Sequence, residues 1–499
     1  MSDLPASSPS MRRDVLSAYL ATAARIGSWM VIAGVVMRRF GTDEFALLAL
    51  VRATLSILNY GTLGLGPAMI HHLARRAPGE GTHVPRAVTP ILTAEAPENV
   101  AAAPGAALSY ANPLELRDPR FEVLYPLRAT YAAGLKIALC AGIASAALLI
   151  VYAFNFQSIH EFRYTLRGSQ LRLFVLLMGL GAIFRLISDA PAAVLQVRDS
   201  ITRDNLYQCA AEAIWVAGTL GSLIVGLTLN DVARWFMASG ALLLVLRLAS
   251  AASLTQQFVL RLPRTPPGLT RALLAGGGVI VLGQLANYLY APAAMILINR
   301  LLEPELVAYY EAGVQIDAAL LLLVTALATV VLPKAAVAHA ADDHVALRRY
   351  YLRGTLASLA MLVAGAVAAW ALAPWIFPLW LGQEMRTTRA ILPILLLSTV
   401  IGGSGMVGRS ILLATGKAKA FTAAALAAGV ANVLLALTFV KLGFGLHGIV
   451  GATAVVVVAR AGIWLPWYVM RTLRLSASGV SASGLADTAA AQPARNCFR

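Results

Sequence analysis

Apolar stretches of about 20 residues follow one another along this chain, separated by short breaks rich in charge, glycine or proline. A helix of that length spans about 30 Å of hydrocarbon, so each stretch predicts one membrane crossing. Twelve helices are predicted, at 15–37, 45–73, 127–154, 173–195, 206–229, 233–254, 273–298, 308–332, 354–377, 390–415, 421–440 and 446–470. The runs are too long and too numerous for the core of a soluble domain. The fold class they predict is an all-α polytopic membrane protein, with its helices in two six-helix lobes.

The breaks divide the chain. A polar N-terminus covers 1–14, the N-lobe 15–256, a basic inter-lobe link 257–272, the C-lobe 273–470 and a Ser/Ala/Gly-rich tail 471–499. Inside the N-lobe, the Pro/Ala-rich stretch 78–126 has the composition of a mobile loop, and the tail that of a disordered segment. Helices one and two are joined by Arg39-Phe40-Gly41-Thr42-Asp43-Glu44-Phe45, and helices seven and eight by Arg300-Leu301-Leu302-Glu303-Pro304-Glu305-Leu306. The shared Arg and Glu register, at the same rank in each half, points to an internal repeat.

Composition agrees with this picture and removes competing classes. Of 499 residues, 59% are hydrophobic and only 13% charged, against about a quarter charged in a soluble domain; the mean hydropathy is +0.73. The net charge of +16 forms no aromatic-interleaved block, so no nucleic-acid partner is expected. The basic residues cluster at helix ends, roughly 22 on one side and roughly 10 on the other, which places both termini in the cytoplasm of a cell inner membrane. Membrane lipids are the partners expected for them. Cys140, Cys209 and Cys497 show no disulfide or metal spacing, and the first apolar run is too long for a cleavable signal core. No cofactor is implied.

The informative residues are polar ones within the apolar runs, where a charge costs about 2.5–3.5 kcal/mol unless it faces protein or water. Arg25 shares a face of helix one with Thr22 and Ser28, and Arg52, Ser56 and Asn59 form a stripe on helix two. Two adjacent cationic stripes predict a water-filled, positively charged cavity; the alternative is that each arginine pairs with a carboxylate of a neighbouring helix. Lys136, Arg247 and Arg460 are further candidates for substrate binding, with partial snorkelling to the interface as the alternative. Arg409 reads as a snorkelling residue. Glu212, Glu311 and Asp317 are the candidates for ion coupling. Arg185 and Asp189, four residues apart, predict a local ion pair. Gln284 and Asn287 fit interhelical hydrogen bonding. His71-His72 cannot chelate together on a helix, because adjacent side chains point about 100° apart. Gly61 to Gly66 lies in an apolar run with no preceding strand, so it reads as helix packing rather than a phosphate loop.

Arg39-Phe40-Gly41 with Glu44-Phe45, followed by Gly64-Leu65-Gly66-Pro67-Ala68, resembles the first helical hairpin of Wzx-type polysaccharide or O-antigen flippases, within the multidrug/oligosaccharidyl-lipid/polysaccharide exporter superfamily. Pro378-Leu379-Trp380-Leu381-Gly382 is similar to that family's outer loop after helix nine. Ser410 to Lys417 and Gly443 to Gly448 resemble its segments around helices ten and twelve. The resemblance implies two lobes facing each other in a V and working by alternating access. It also implies an undecaprenyl-pyrophosphate-linked oligosaccharide as cargo, held by Arg25 and Arg52, with polysaccharide polymerase or ligase machinery as partners. The long stretch 78–126 departs from the family pattern.

Two alternatives carry different chemistry. A cation-coupled multidrug exporter of the same superfamily shares the helices but favours a carboxylate-lined cavity. A membrane glycosyltransferase or polymerase would need Asp43-Glu44 as an acid pair and a large outer domain, which the short loops do not supply; the expectation is therefore that the chain is not an enzyme. A major-facilitator sugar transporter lacks its signature in the stretch His71 to Gly81.

Overall fold

A computed structural model of the chain describes residues 9–60, 65–74, 121–160, 168–198, 200–256, 265, 268–341 and 343–474. The predicted loop up to residue 120, the tail beyond 474 and most of the inter-lobe link lie outside the described residues, as do the side chains of Asn59, His71 and His72.

Every described element is helical. The N-terminal half comprises α1 (Pro9–Phe40), α2 (Thr42–Leu55), a 3₁₀ turn (Ser56–Tyr60), α3 (Leu65–Ala74), α4 (Phe121–Ile159), α5 (Ser169–Ile187), α6 (Asp189–Val197), α7 (Ile201–Val225) and α8 (Leu229–Thr255). The C-terminal half comprises α9 (Leu269–Tyr288), α10 (Ala291–Leu301), α11 (Leu306–Ala340), α12 (His344–Leu381), α13 (Arg386–Ala414), α14 (Ala418–Lys441) and α15 (Gly445–Val457). The last of these continues through a π-helical segment, Val458–Trp464, in a span reaching Arg474.

Eleven described helices are long and apolar enough to cross a membrane, against twelve predicted. The twelfth, predicted at 45–73, is present in pieces. α2 ends where Ser56 turns its hydroxyl back onto the Ala53 carbonyl at 2.6 Å, and a side chain competing for backbone groups weakens the helical ladder there.

Two further predicted helices are also interrupted, for one shared reason. α5 stops at Ile187, four residues before Pro191, and α9 stops at Tyr288, four residues before Pro292. A proline has no amide hydrogen for the carbonyl four residues back, and its ring crowds that carbonyl. Each following helix restarts with the proline in its first turn, where no intrahelical donor is needed.

Helix ends extend beyond their apolar runs. α4 has 39 residues, about 58 Å at 1.5 Å per residue. The Pro378–Gly382 stretch forms the last turn of α12 and its C-cap, not a loop. Gly382 there has φ +76°, a conformation glycine adopts without strain.

The largest apolar core runs through both lobes. It joins Trp29, Ile32 and Val36 of α1 and Phe45 to Val51 of α2 with Ile298 of α10, Tyr310 of α11 and Phe377 of α12. α2 is the wedge: every residue from Glu44 to Val51 is buried, and the helix packs on α10 and α11. α1 packs on α11 and α12 beside it.

Candidate functional site

The polar groups of the interface are organised by two consecutive residues of α1. Adjacent helical positions point about 100° apart, so Ser28 and Trp29 reach different neighbours. Ser28 donates to Glu212 Oε2 of α7 at 2.6 Å. Trp29 Nε1 donates to Glu311 Oε1 of α11, in the other lobe, at 2.8 Å. Each carboxylate then takes one arginine. Arg185 of α5 lies 2.6 Å from Glu212 and donates to Ser239 of α8 at 3.0 Å. Arg52 of α2 lies 3.1 Å from Glu311, which also accepts from Gln315 one turn along α11.

The two pairs differ in setting. Arg185–Glu212 is internal to the N-lobe, with the guanidinium 4.9 Å from the Phe236 ring centroid. Arg52–Glu311 crosses between lobes, with the guanidinium carbon 3.9 Å above the Trp29 ring. Its Arg52 side chain keeps 47% of its exposure while Glu311 keeps 2%, so the cation faces accessible space and the carboxylate stands behind it. Arg25, one turn from Ser28, is exposed and its charge acts on Arg52. It has no ion-pair partner among the described residues.

The other predicted positions are scattered. Asp317, two turns along α11 from Glu311, accepts from Thr399 of α13. Arg247 neither snorkels nor faces open space: it is buried, 2.7 Å from the buried Asp204, and donates to Ser188 at 2.8 Å. Lys136 is exposed on α4. Arg460 lies in the C-lobe between Tyr290 and Phe421. Asn59 falls in the 3₁₀ turn. For Arg185, where the spacing predicts a local pair with Asp189, the helix breaks between the two residues and Arg185 reaches across to Glu212.

At one end of the lobe interface is a second set of contacts. Trp380 Nε1 of α12 donates to the Met30 carbonyl of α1 at 2.7 Å, and Arg38 donates to the carbonyls of Trp380, at 3.2 Å, and Leu379. Alongside, Asn299 of α10 meets His160 Nδ1 at 3.1 Å, and Arg300 donates to the Ile159 carbonyl at 3.1 Å. The sequence pattern does not mark these residues as site candidates, since each reads as a helix-end anchor or an apolar core position.

Solved structures share this arrangement along almost the whole chain. An inward-facing conformation of a multidrug resistance MATE family transporter of the MOP superfamily matches with TM-score 0.68 at 14% identity, covering 92% of this chain and 96% of that one. This is the fold of a MATE transporter. The outward-facing conformation of such a transporter matches with TM-score 0.60 at 14% identity, covering 94% and 96%. A MATE protein in complex with MaD3S matches with TM-score 0.63 at 14% identity, also covering 94% and 96%. The MatE family model matches residues 280–438, α10 to α13 with the flanking parts of α9 and α14. No curated protein sequence matches the chain. Glu44 is buried against the core, so Asp43-Glu44 does not form an exposed acid pair.

Proposed function

We propose that this chain is a cation-coupled exporter of a multi-pass inner membrane, working by alternating access, with Glu311 as the group whose charge state couples the lobes. The observation that carries this reading is the Arg52–Glu311 pair: a carboxylate of one lobe, 2% exposed, balanced by a half-exposed cation of the other. A proton or metal cation arriving at Glu311 cancels the attraction that holds Arg52 across the interface, which frees the two lobes to part. The better match to the inward-facing relative supports assigning the Trp380 and His160 contacts to a closed outer side. Structural relatives described as multidrug resistance transporters support a drug-like cargo.

A second cargo has its own support. Arg25 is exposed and unpaired among the described residues, and Arg52 turns nearly half its surface to the same space. Forked guanidinium donors suit a diphosphate, as in a lipid-linked oligosaccharide. A deletion strain separates the two. Broad drug hypersensitivity with intact surface polysaccharide supports the drug exporter. Lost polysaccharide, with precursor held on the inner leaflet and unchanged drug tolerance, overturns it in favour of the flippase.

A further inference from the structure

The C-lobe gathers positive charge that the lobe interface does not use. Arg409 of α13 and Arg460 of the π-helical segment approach the same ring, their guanidinium carbons 5.6 and 5.8 Å from the Phe421 centroid. Arg460 also lies 5.9 Å from the Tyr290 centroid. The two charges act on each other, and neither has an ion-pair partner among the described residues. Like charges in a weakly polar setting repel, and aromatic faces offset only part of this. Two polar atoms at the same place, Arg460 Nε and Tyr290 Oη, are buried with no hydrogen-bond partner. The backbone is unusual there as well: the π-helical segment Val458–Trp464 surrounds Arg460, and such segments occur frequently at functional positions.

The depth of the cluster narrows the ligand. Arg409 is about 7.5 Å from the end of α13 and Phe421 about 4.5 Å from the start of α14, at 1.5 Å per residue. The turn between those helices carries the exposed Lys417 and, just beyond, Lys419. Trp464 and Tyr468, one and two turns on from Arg460, stack with centroids 5.0 Å apart. Lysine with paired aromatics near helix ends marks the headgroup layer.

We propose that Arg409 and Arg460, flanked by Phe421 and Tyr290, form a binding site for the phosphate group of a lipid. Two guanidinium forks satisfy the oxygens of a phosphate or diphosphate, whose negative charge cancels their repulsion. The apolar helix faces around them accept the attached chain. The same chemistry serves an anionic phospholipid headgroup or a prenyl pyrophosphate, and the site stands whichever cargo the lobe interface carries.

The test uses the full chain in phosphatidylcholine nanodiscs, titrated separately with phosphatidylglycerol and with farnesyl pyrophosphate. Arg409→Gln and Arg460→Gln are each expected to weaken binding about tenfold, the loss of one charge-assisted contact. Arg460→Lys, which keeps charge but not the fork, falls between. Preference for phosphatidylglycerol identifies a membrane lipid site, and preference for farnesyl pyrophosphate a carrier site. Without ligand, the Gln variants are expected to melt at or above the wild-type temperature, because repulsion is relieved. Unchanged binding of both probes overturns the proposal, and so does a lower ligand-free melting temperature in both Gln variants, which marks a structural role. Arg25→Gln/Arg52→Gln retains this binding, so failure here is distinct from failure of the interface mechanism.

Discussion

At the scale of single residues, the chemistry turns on which carboxylate each arginine finds. Glu311→Gln keeps an acceptor for Trp29 but removes the charge facing Arg52. The variant is expected to fold and insert, while ion-driven export in proteoliposomes falls roughly tenfold or more; undiminished export removes Glu311 from the coupling. Arg247 belongs to a different class. Arg247→Met strands the buried Asp204 and is expected to cost roughly 3–5 kcal/mol of stability, most of it recovered by adding Asp204→Leu. Thermal unfolding of both variants checks this. His160, the first residue past its span, is held neutral: burial and then the neighbouring Arg300 push its pKa down to about 4. It faces Tyr152 and Phe156 of α4 and Asn299 and Arg300 of α10. Apart from those neighbours its pKa returns to about 6.5, so the separated form takes up protons first as pH falls. The α4–α10 contact should therefore be fully held above about pH 6.5 and weaken progressively towards about pH 4. Pulsed EPR distances between spin labels at Gln157 and Glu303, both exposed, should lengthen over that window in the wild type and not in His160→Gln.

At the scale of elements, prolines and glycines decide how the predicted cylinders become real ones. The apolar pattern marks 173–195 and 273–298 as continuous, yet Pro191 and Pro292 split them. Periodicity counts apolar surface, and a missing amide hydrogen leaves that count unchanged. Glycines set the closest approaches. A side chain added at Gly240 of α8 would meet the Gly181 carbonyl oxygen of α5 at 2.6 Å, a backbone atom that cannot swing aside. Small residues at such crossings let membrane helices pack closely. Gly240→Ala should lower the melting temperature by several degrees, whereas Gly221→Ala on α7, with nothing within 4 Å of the new group, should be neutral or slightly stabilising through helix propensity. Equal effects at the two positions would show that packing is not the cause.

At the scale of the whole molecule, the described residues of the two lobes share one continuous core and one inter-lobe ion pair, and the proposed alternating access requires such contacts to break in turn. The Trp380–Met30 and Arg38–Leu379 bonds are the part of the interface made by helix ends. Trp380→Phe combined with Arg38→Gln is expected to raise hydrogen exchange around Met30 to Arg38 several-fold while leaving the buried centre of α2 protected. Exchange rising uniformly through both helices would mean global loosening instead. Close packing at Gly34, where an added side chain would come within 2.9 Å of the Trp380 carbonyl, helps to keep this contact tight.

Length and hydropathy determined the class of this protein by themselves, since about 20 apolar residues in water have no stable arrangement other than burial, and no soluble domain of this size buries twelve such runs. They also marked Arg25, Arg52, Glu212 and Glu311 as unusual, because a charge in an apolar run is costly wherever the run is placed. Pairing was beyond their reach. That Arg52 meets Glu311, 259 residues away, that Arg185 reaches Glu212, and that Arg409 and Arg460 gather at one phenyl ring are consequences of helix rotation and lobe docking. A one-dimensional pattern records what must be buried, and only the packed structure decides against what.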